Sequence, residues 1–426
     1  MKMEFVDYHA HVYGTGYKVL HPKLDGMQSI EAIQTVVQSQ KQAQSEAKGE
    51  NWILLRGWDQ NLWEEKIFPT RFDLDSVSAE IPIALIRIDG HALWCNTKAL
   101  QIAGIGSASL PLAAREDIVK DKKGEPTGIL IDDAMKLVYD AMPPEGEEKI
   151  ISTLRAGLKE FAKHHIAVFD MGIPREWWEP FKKLYASEGD SLIKSYVFLD
   201  MTKETGRALF LEKVKSGTFD DSPHPNLKLI GIKLYLDGAL GSRGANLFED
   251  YSDDKGNRGI RLMEGDEALM LMNLAAERGL QIAVHAIGDA ANARALDLFA
   301  KVREHLHRNP PPANSTPILR IEHAQIVREQ DIHRFKELGV WAIVQPQFYA
   351  SDKEWAVGRL GKERMKDAYR WRSLISAGVK VAASSDSPIE EADPNRGIQA
   401  LLIREGEGVS GSTAYSLYSP IDELLP

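Results

Sequence analysis

Glu4-Phe5-Val6-Asp7-Tyr8-His9-Ala10-His11-Val12 is a short apolar run that closes on two histidines one residue apart. The two-residue period of a β-strand aims both imidazoles at one side of a sheet, where a pair of neutral rings suits Zn²⁺ or a similar borderline ion. At the carboxyl end of a parallel strand, that grip lies where barrel enzymes carry their chemistry. His-X-His alone is a weak signal, since two strand-end histidines without further partners are common. What decides between the two is whether other strands end on ligands of their own.

Seven further runs share the character of the first: apolar, without polar alternation, and flanked by helical patterns, as buried parallel strands are. Strands are expected at residues 5–11, 167–171, 195–199, 227–236, 281–286, 317–323, 340–345 and 379–384. Helices are expected between them, among others at 147–164, 266–278, 289–305, 328–338 and 371–377. Strands and helices in alternation predict an α/β fold, and eight such strands predict a TIM-like (β/α)₈ barrel.

Residues 51–142 break the alternation with strands of their own at 52–57 and 83–88, several prolines and a tryptophan-rich turn. The expected organisation is therefore a first barrel strand and helix in 1–50, an insertion near the active-site rim in 51–142, the remaining barrel in 143–405 and a C-terminal tail in 406–426.

Three of the later strands also end on ligands. His285 closes Gln281-Ile282-Ala283-Val284, His323 closes Ile318-Leu319-Arg320-Ile321-Glu322, and Asp386 follows the strand at 379–384. Four histidines and an aspartate at four strand ends predict a metal site. Lys233 adds to this, because it lies inside Leu227-Lys228-Leu229-Ile230-Gly231-Ile232-Lys233-Leu234-Tyr235-Leu236. Burying an unpaired ammonium there costs several kcal/mol. Either an acid such as Asp237 pairs with it, or the neutral amine reacts with CO₂ to give a carbamate, whose two oxygens bridge two cations.

Composition narrows the field of partners. The 426 residues are 43% hydrophobic and 27% charged, with a formal net charge of −10, one cysteine (Cys95) and no basic block. An acidic chain of this kind is expected to leave nucleic acid alone and to act on a small molecule. No stretch approaches the roughly 20 unbroken apolar residues of a membrane helix. A single cysteine and an opening without a leader pattern fit a reducing cytoplasm.

These motifs, together with Gly57-Trp58-Asp59, Asp89-Gly90-His91-Ala92-Leu93-Trp94-Cys95-Asn96, Gly128-Ile129-Leu130, Lys233-Leu234-Tyr235-Leu236-Asp237-Gly238, His285-Ala286-Ile287-Gly288-Asp289, Glu322-His323-Ala324 and Ser385-Asp386-Ser387-Pro388, span nearly the whole chain. In them the sequence resembles the amidohydrolase superfamily and, within it, amidohydrolase family 3, the YtcJ-like and N-substituted formamide deformylase-like group. The resemblance implies a metal-dependent amidohydrolase that cleaves C–N bonds other than peptide bonds, in amide, N-acyl or N-formyl substrates, by a metal-bound hydroxide. It implies two divalent ions, with zinc the first expectation. His9 and His11 would hold one, His285 and His323 the other, Lys233 would bridge them as a carbamate, and Asp386 would be both ligand and proton carrier. Strand alternation turns Glu322 to the face opposite His323, which leaves the proton transfer to Asp386 alone.

Around that centre, His91 is expected to reach substrate from the insertion, with a helix-start histidine ahead of Asn96 as its plainer reading. Trp58, Trp63 and Trp94 could line an aromatic pocket, and Trp58 and Trp94 are taken with His91 as substrate-binding candidates, although buried aromatics more often belong to a core. Asp237 is expected to hold Arg243 or to brace the glycine-rich turn that follows it, and that turn lacks the Lys-Ser/Thr ending of a phosphate loop.

Two alternatives stand beside this reading: a mononuclear, deaminase-like hydrolase using His9, His11, His285 and Asp386 with Lys233 in a salt bridge, or a catalytically silent relative that binds metal. The second follows from a departure. Members of the group carry a β-rich terminal domain before the first barrel strand and after the last, and this sequence has neither part. A truncated or compact form, and a homo-oligomer formed through the surface so exposed, are the corresponding expectations.

Overall fold

Each of the eight apolar runs becomes a strand, because β-branched and aromatic residues without polar alternation are stable only where both faces of a sheet are covered. The protein is described by a computed structural model over residues 5–47, 52–88, 92–106, 117–131, 134–313 and 315–426. In chain order its strands are β1 (Phe5–Ala10), β2 (Ile53–Trp58), β3 (Ile83–Arg87), β4 (Ala92–Cys95), β5 (Ile118–Lys120), β6 (Pro126–Ile131), β7 (His165–Ile173), β8 (Lys194–Asp200), β9 (Leu227–Tyr235), β10 (Gln281–Ala286), β11 (Leu319–His323), β12 (Trp341–Val344) and β13 (Val381–Ala383). The chain divides into two units, Met1–Tyr17 with Glu147–Pro426, and Lys18–Gly146.

The larger unit holds one eight-stranded sheet in the order β1-β7-β8-β9-β10-β11-β12-β13, every neighbouring pair parallel. The expected α/β barrel is thus observed. Its seam, between β13 and β1, is bridged in two places. At the carboxyl end, Asp386 N–H donates to the His9 carbonyl and His11 N–H to the Ser387 carbonyl, both at 2.8 Å. Lower down, the tail enters the seam: Ala383 N–H donates to Leu417 O at 2.9 Å and Val6 N–H to Tyr418 O at 2.8 Å.

Inside the cylinder, Val6, Tyr8, Phe169, Tyr196, Phe198, Ala283, Trp341 and Ile343 pack together, and Leu424 from the tail joins them. Gln281, the first residue of β10, donates Nε2 to the Leu424 carbonyl at 2.8 Å, so the tail closes the amino end of the barrel. Outside, the helices cover the other strand face, and the helix Glu147–Phe161 crosses the helix Val12–Leu20 very closely. A Cβ at Gly157 would lie 2.1 Å from the Val12 carbonyl, and one at Gly16 1.8 Å from that of Thr153. Only glycine permits this approach.

The smaller unit is a five-stranded sheet in the order β2-β3-β4-β6-β5, with β2 and β3 parallel and the rest antiparallel. It begins at Lys18, earlier than the boundary at 51 expected from sequence. The cause is the helix Ile30–Ala47, whose Ile33 and Val37 are buried with Leu55, Ile83 and Trp94 in this unit's core. That helix therefore belongs to the second unit and not to the first barrel repeat.

Candidate metal centre

All six residues proposed as ligands lie in the larger unit, on β1, β9, β10 and β11 and on the loops that follow β1 and β13. His9 Nε2 lies 3.3 Å and His11 Nε2 3.1 Å from Asp386 Oδ1. One ligand atom from each of these three residues falls within 4.8 Å of the other two. Lys233 Nζ is 3.4 Å from His9 Nε2. The His323 ring centre is 4.9 Å from that of His9 and 4.4 Å from that of His285. Sequence positions 9, 11, 233, 285, 323 and 386 thus converge on one cluster.

Local backbone geometry accounts for part of this convergence. Within β11, Arg320 and Glu322 face the barrel interior, and a strictly alternating strand would turn His323 away from it. His323 instead has φ +76° and Ala324 φ +42°, which swings the ring to the same mouth. Asp386 likewise has φ +56°. Left-handed conformations in non-glycine residues cost on the order of 1–3 kcal/mol and gather at functional sites. The expectation that Glu322 faces away from the centre is corrected here: its Oε2 lies 2.5 Å from His9 Nδ1. Sequence reasoning missed this because alternation was carried through a residue that leaves the strand geometry. A signal was present in Arg320 and Glu322, two opposite charges at strand period within an apolar run.

The protonation states suit cation binding. Burial drives His285 down to about 3 and His323 well below its ordinary value, so both rings are neutral. Burial opposes ionisation of Asp386, yet His9 and His11 outweigh it and hold the carboxyl well below the usual range. Glu322 behaves alike: burial raises it, while Arg320 and His9 bring it down to about 2. Burial lowers Lys233 to about 8.

Lys233 is fully buried, its Nζ 4.9 Å above the Tyr235 ring. Among the described residues no carboxylate lies within ion-pair distance of it, so the salt bridge considered from sequence is not formed. Asp237 is occupied otherwise, accepting from the backbone N–H groups of Gly288, Asn246 and Ile287 at 2.8, 2.9 and 3.0 Å. Nor does Asp237 hold Arg243, which pairs with Asp253 at 3.0 Å. Its carboxylate therefore braces the loop after β10.

A divalent cation fits these residues on their own chemistry. Asp386 Oδ1 is buried without a hydrogen-bond partner, a costly state that coordination would relieve, while His285 Nε2 lies 3.4 Å from Asp237 Oδ1. Two ring nitrogens and an ionised oxygen face one another at close range, and neutral imidazole with carboxylate is a donor set for Zn²⁺ and its neighbours. Behind the cluster, His323 Nδ1 meets Gln345 Oε1 at 2.7 Å, and Gln345 Nε2 donates to Ser384 Oγ at 2.9 Å.

The substrate-binding candidates fare differently. Trp58 and Trp94 are fully buried in the core of the smaller unit, with indole N–H groups donating to Leu85 O at 2.7 Å and Thr70 O at 2.8 Å. They offer no surface to a ligand, which corrects the pocket reading: satisfied indoles packed at ring distances of 5.9 Å and 6.2 Å are core. His91 lies outside the described residues. Asn96 does cap the helix Thr97–Ile102, accepting from Ala99 N–H at 2.9 Å.

Comparison with known proteins agrees with this geometry. The sequence profile of the amidohydrolase family matches residues 5–421. The putative amidohydrolase YtcJ of Bacillus subtilis (strain 168) is 33% identical over 421 residues, which cover 97% of this chain and 75% of that protein. The N-substituted formamide deformylase of Arthrobacter pascens is 25% identical over 342 residues, covering 79% of this chain and 61% of the other. An uncharacterized metal-dependent hydrolase from Pyrococcus furiosus superposes with a TM-score of 0.78 at 28% identity, covering 97% of this chain and 80% of that one.

Proposed function

Because this chain belongs to the amidohydrolase family and is a metal-dependent hydrolase, we propose that it cleaves a C–N bond in an amide, N-acyl or N-formyl compound. The observation that carries this reading is Asp386 Oδ1, buried without a hydrogen-bond partner and within 3.3 Å of ring nitrogens from both His9 and His11. Similarity to an N-substituted formamide deformylase supports the bond type.

His9, His11, Lys233, His285, His323 and Asp386 would hold two divalent ions, with Zn²⁺ first in expectation. Such ions supply Lewis-acid polarisation of a carbonyl and acidify water. Asp386, kept ionised by the neighbouring histidines, accepts the proton of the attacking water and passes it to the departing amine. His285 and His323, as neutral rings rather than imidazolium, offer no acidic proton to compete for that role.

Lys233 becomes a carbamate when its neutral amine adds to the carbon of CO₂ and the N–H proton leaves to solvent. Its burial, its lowered basicity and the absence of an acid partner among the described residues support that state. The mononuclear alternative draws on the tight grouping of His9, His11 and Asp386 alone. It needs Lys233 in a salt bridge, and none is formed among the described residues.

The test is amine release from a panel of N-formyl, N-acyl and simple amide compounds by protein loaded with Zn²⁺ or Mn²⁺, with metal counted per chain. Turnover with two ions supports the binuclear reading, and turnover with one supports the mononuclear alternative. Full metal occupancy with no amine released anywhere in the panel favours a silent relative and refutes the proposed reaction.

A further inference from the structure

Beneath the ligand cluster runs a buried chain of polar contacts that the proposed reaction does not use. Arg320 and Glu322 are both 0% exposed. Arg320 Nε donates to Glu322 Oε1 at 2.5 Å and its Nη2 to Oε2 at 3.2 Å. The same guanidinium donates to the Tyr8 carbonyl and lies 5.2 Å from the ring centres of both Phe169 and Phe198. Glu322 Oε2 then meets His9 Nδ1 at 2.5 Å.

A buried ion pair is no more stable than well-packed apolar residues of the same volume, because desolvation offsets the attraction. Fold stability alone therefore gives no reason for charge at this point of an otherwise apolar interior. The contact with His9 gives one. A carboxylate whose two oxygens face a guanidinium is ionised and can only accept hydrogen bonds, so the ring nitrogen it meets carries the proton. In a neutral imidazole the other nitrogen is then bare. For His9 that nitrogen is Nε2, which lies 3.3 Å from Asp386 Oδ1 and 3.4 Å from Lys233 Nζ.

We propose that Glu322, held by Arg320, is a positioning residue that fixes His9 as its Nδ1–H tautomer and so presents the Nε2 lone pair to the metal centre. The inference rests on the reading of that centre as a metal site. Outer partners of this kind typically change metal affinity 10–100-fold when removed. Gln345 stands in an analogous place behind His323, but an amide oxygen is a weaker acceptor than a carboxylate.

Two measurements test it. The first is a long-range ¹H–¹⁵N spectrum of metal-free protein labelled at histidine, with His9 assigned by His9→Gln. Protonated Nδ1 and bare Nε2 are expected; a His9 protonated at Nε2 overturns the proposal whatever any variant does. The second uses Glu322→Gln, and Arg320→Met combined with Glu322→Leu so that no charge is left alone in the core. With thermal unfolding retained, Zn²⁺ affinity by chelator competition is expected to fall about 10–100-fold. A folded double variant with wild-type affinity and an unchanged His9 tautomer overturns it. Should the double variant not fold, the wild-type spectrum decides. Wild-type protein that takes up no divalent ion sinks the metal reading instead, and the tautomer result remains separately readable.

Discussion

The backbone N–H of Asp386 donates to the carbonyl of His9 at 2.8 Å, so the loop after the last barrel strand is tied to the first strand at the point where their side chains form the ligand cluster. Backbone, not side chain, makes that tie. Asp386→Asn should accordingly keep the seam, the fold and most of the bound metal while removing the proton carrier. Turnover is expected to fall about 10²–10⁴-fold. Steady-state kinetics with metal analysis check this, and wild-type turnover in Asp386→Asn would rule out the proposed proton transfer.

Lys233→Ala removes the proposed bridge and should leave one cation per chain where the wild type holds two. Reconstitution of the wild type in CO₂-free buffer should give the same deficit, and added bicarbonate should reverse it, because the carbamate forms from the neutral amine. Elemental analysis reads both. Equal metal content with and without Lys233 would contradict the bridge.

His165 carries a pH dependence for the fold. It is buried on β7, with Nδ1 3.3 Å from the Phe161 carbonyl and Nε2 3.9 Å from Asp7 Oδ2, beyond hydrogen-bond reach. Burial lowers its pKa to about 4 from an ordinary 6.5. The folded value lies below the unfolded one, so this contribution to stability is full above pH 6.5 and is lost as the pH falls toward 4. At about 1.4 kcal/mol per unit, the loss amounts to about 3 kcal/mol. Urea midpoints at about pH 7 and about pH 4.5 should differ more in the wild type than in His165→Leu. Equal differences in the two proteins would show that His165 is not the group responsible.

Gly157→Ala places a methyl group where the Val12 carbonyl already lies, 2.1 Å from the new Cβ. The helix Glu147–Phe161 must then move off the segment that follows His11. Overpacking of this kind costs about 1–3 kcal/mol, visible as a lowered thermal midpoint. An unchanged midpoint would mean that the two helices separate without loss.

The barrel was legible in the sequence because its strands are largely apolar runs flanked by helical patterns, and the candidate ligands were legible because His9, His11, His285, His323 and Asp386 each sit at or just beyond the end of such a run. Lys233 was legible for the opposite reason, as a charge where only apolar residues belong. The role of Glu322 was not, since it depends on positive φ at His323, which no spacing rule reveals. The boundary at Lys18 was also hidden: the helix Ile30–Ala47 has an apolar stripe that fits either a barrel or a small sheet, and only packing against Leu55 and Ile83 decides. Trp58 and Trp94 looked equally suited to a pocket or a core until their indole partners were seen.

The central claim is that six side chains distant in sequence hold divalent cations at the carboxyl end of one barrel. Anomalous diffraction at the zinc edge from crystals grown with Zn²⁺ tests it most directly. The account predicts two peaks among His9, His11, Lys233, His285, His323 and Asp386, with density for a carboxylated Lys233 between them. Zinc bound only elsewhere on the protein, with these six side chains making no contact to it, would contradict the account.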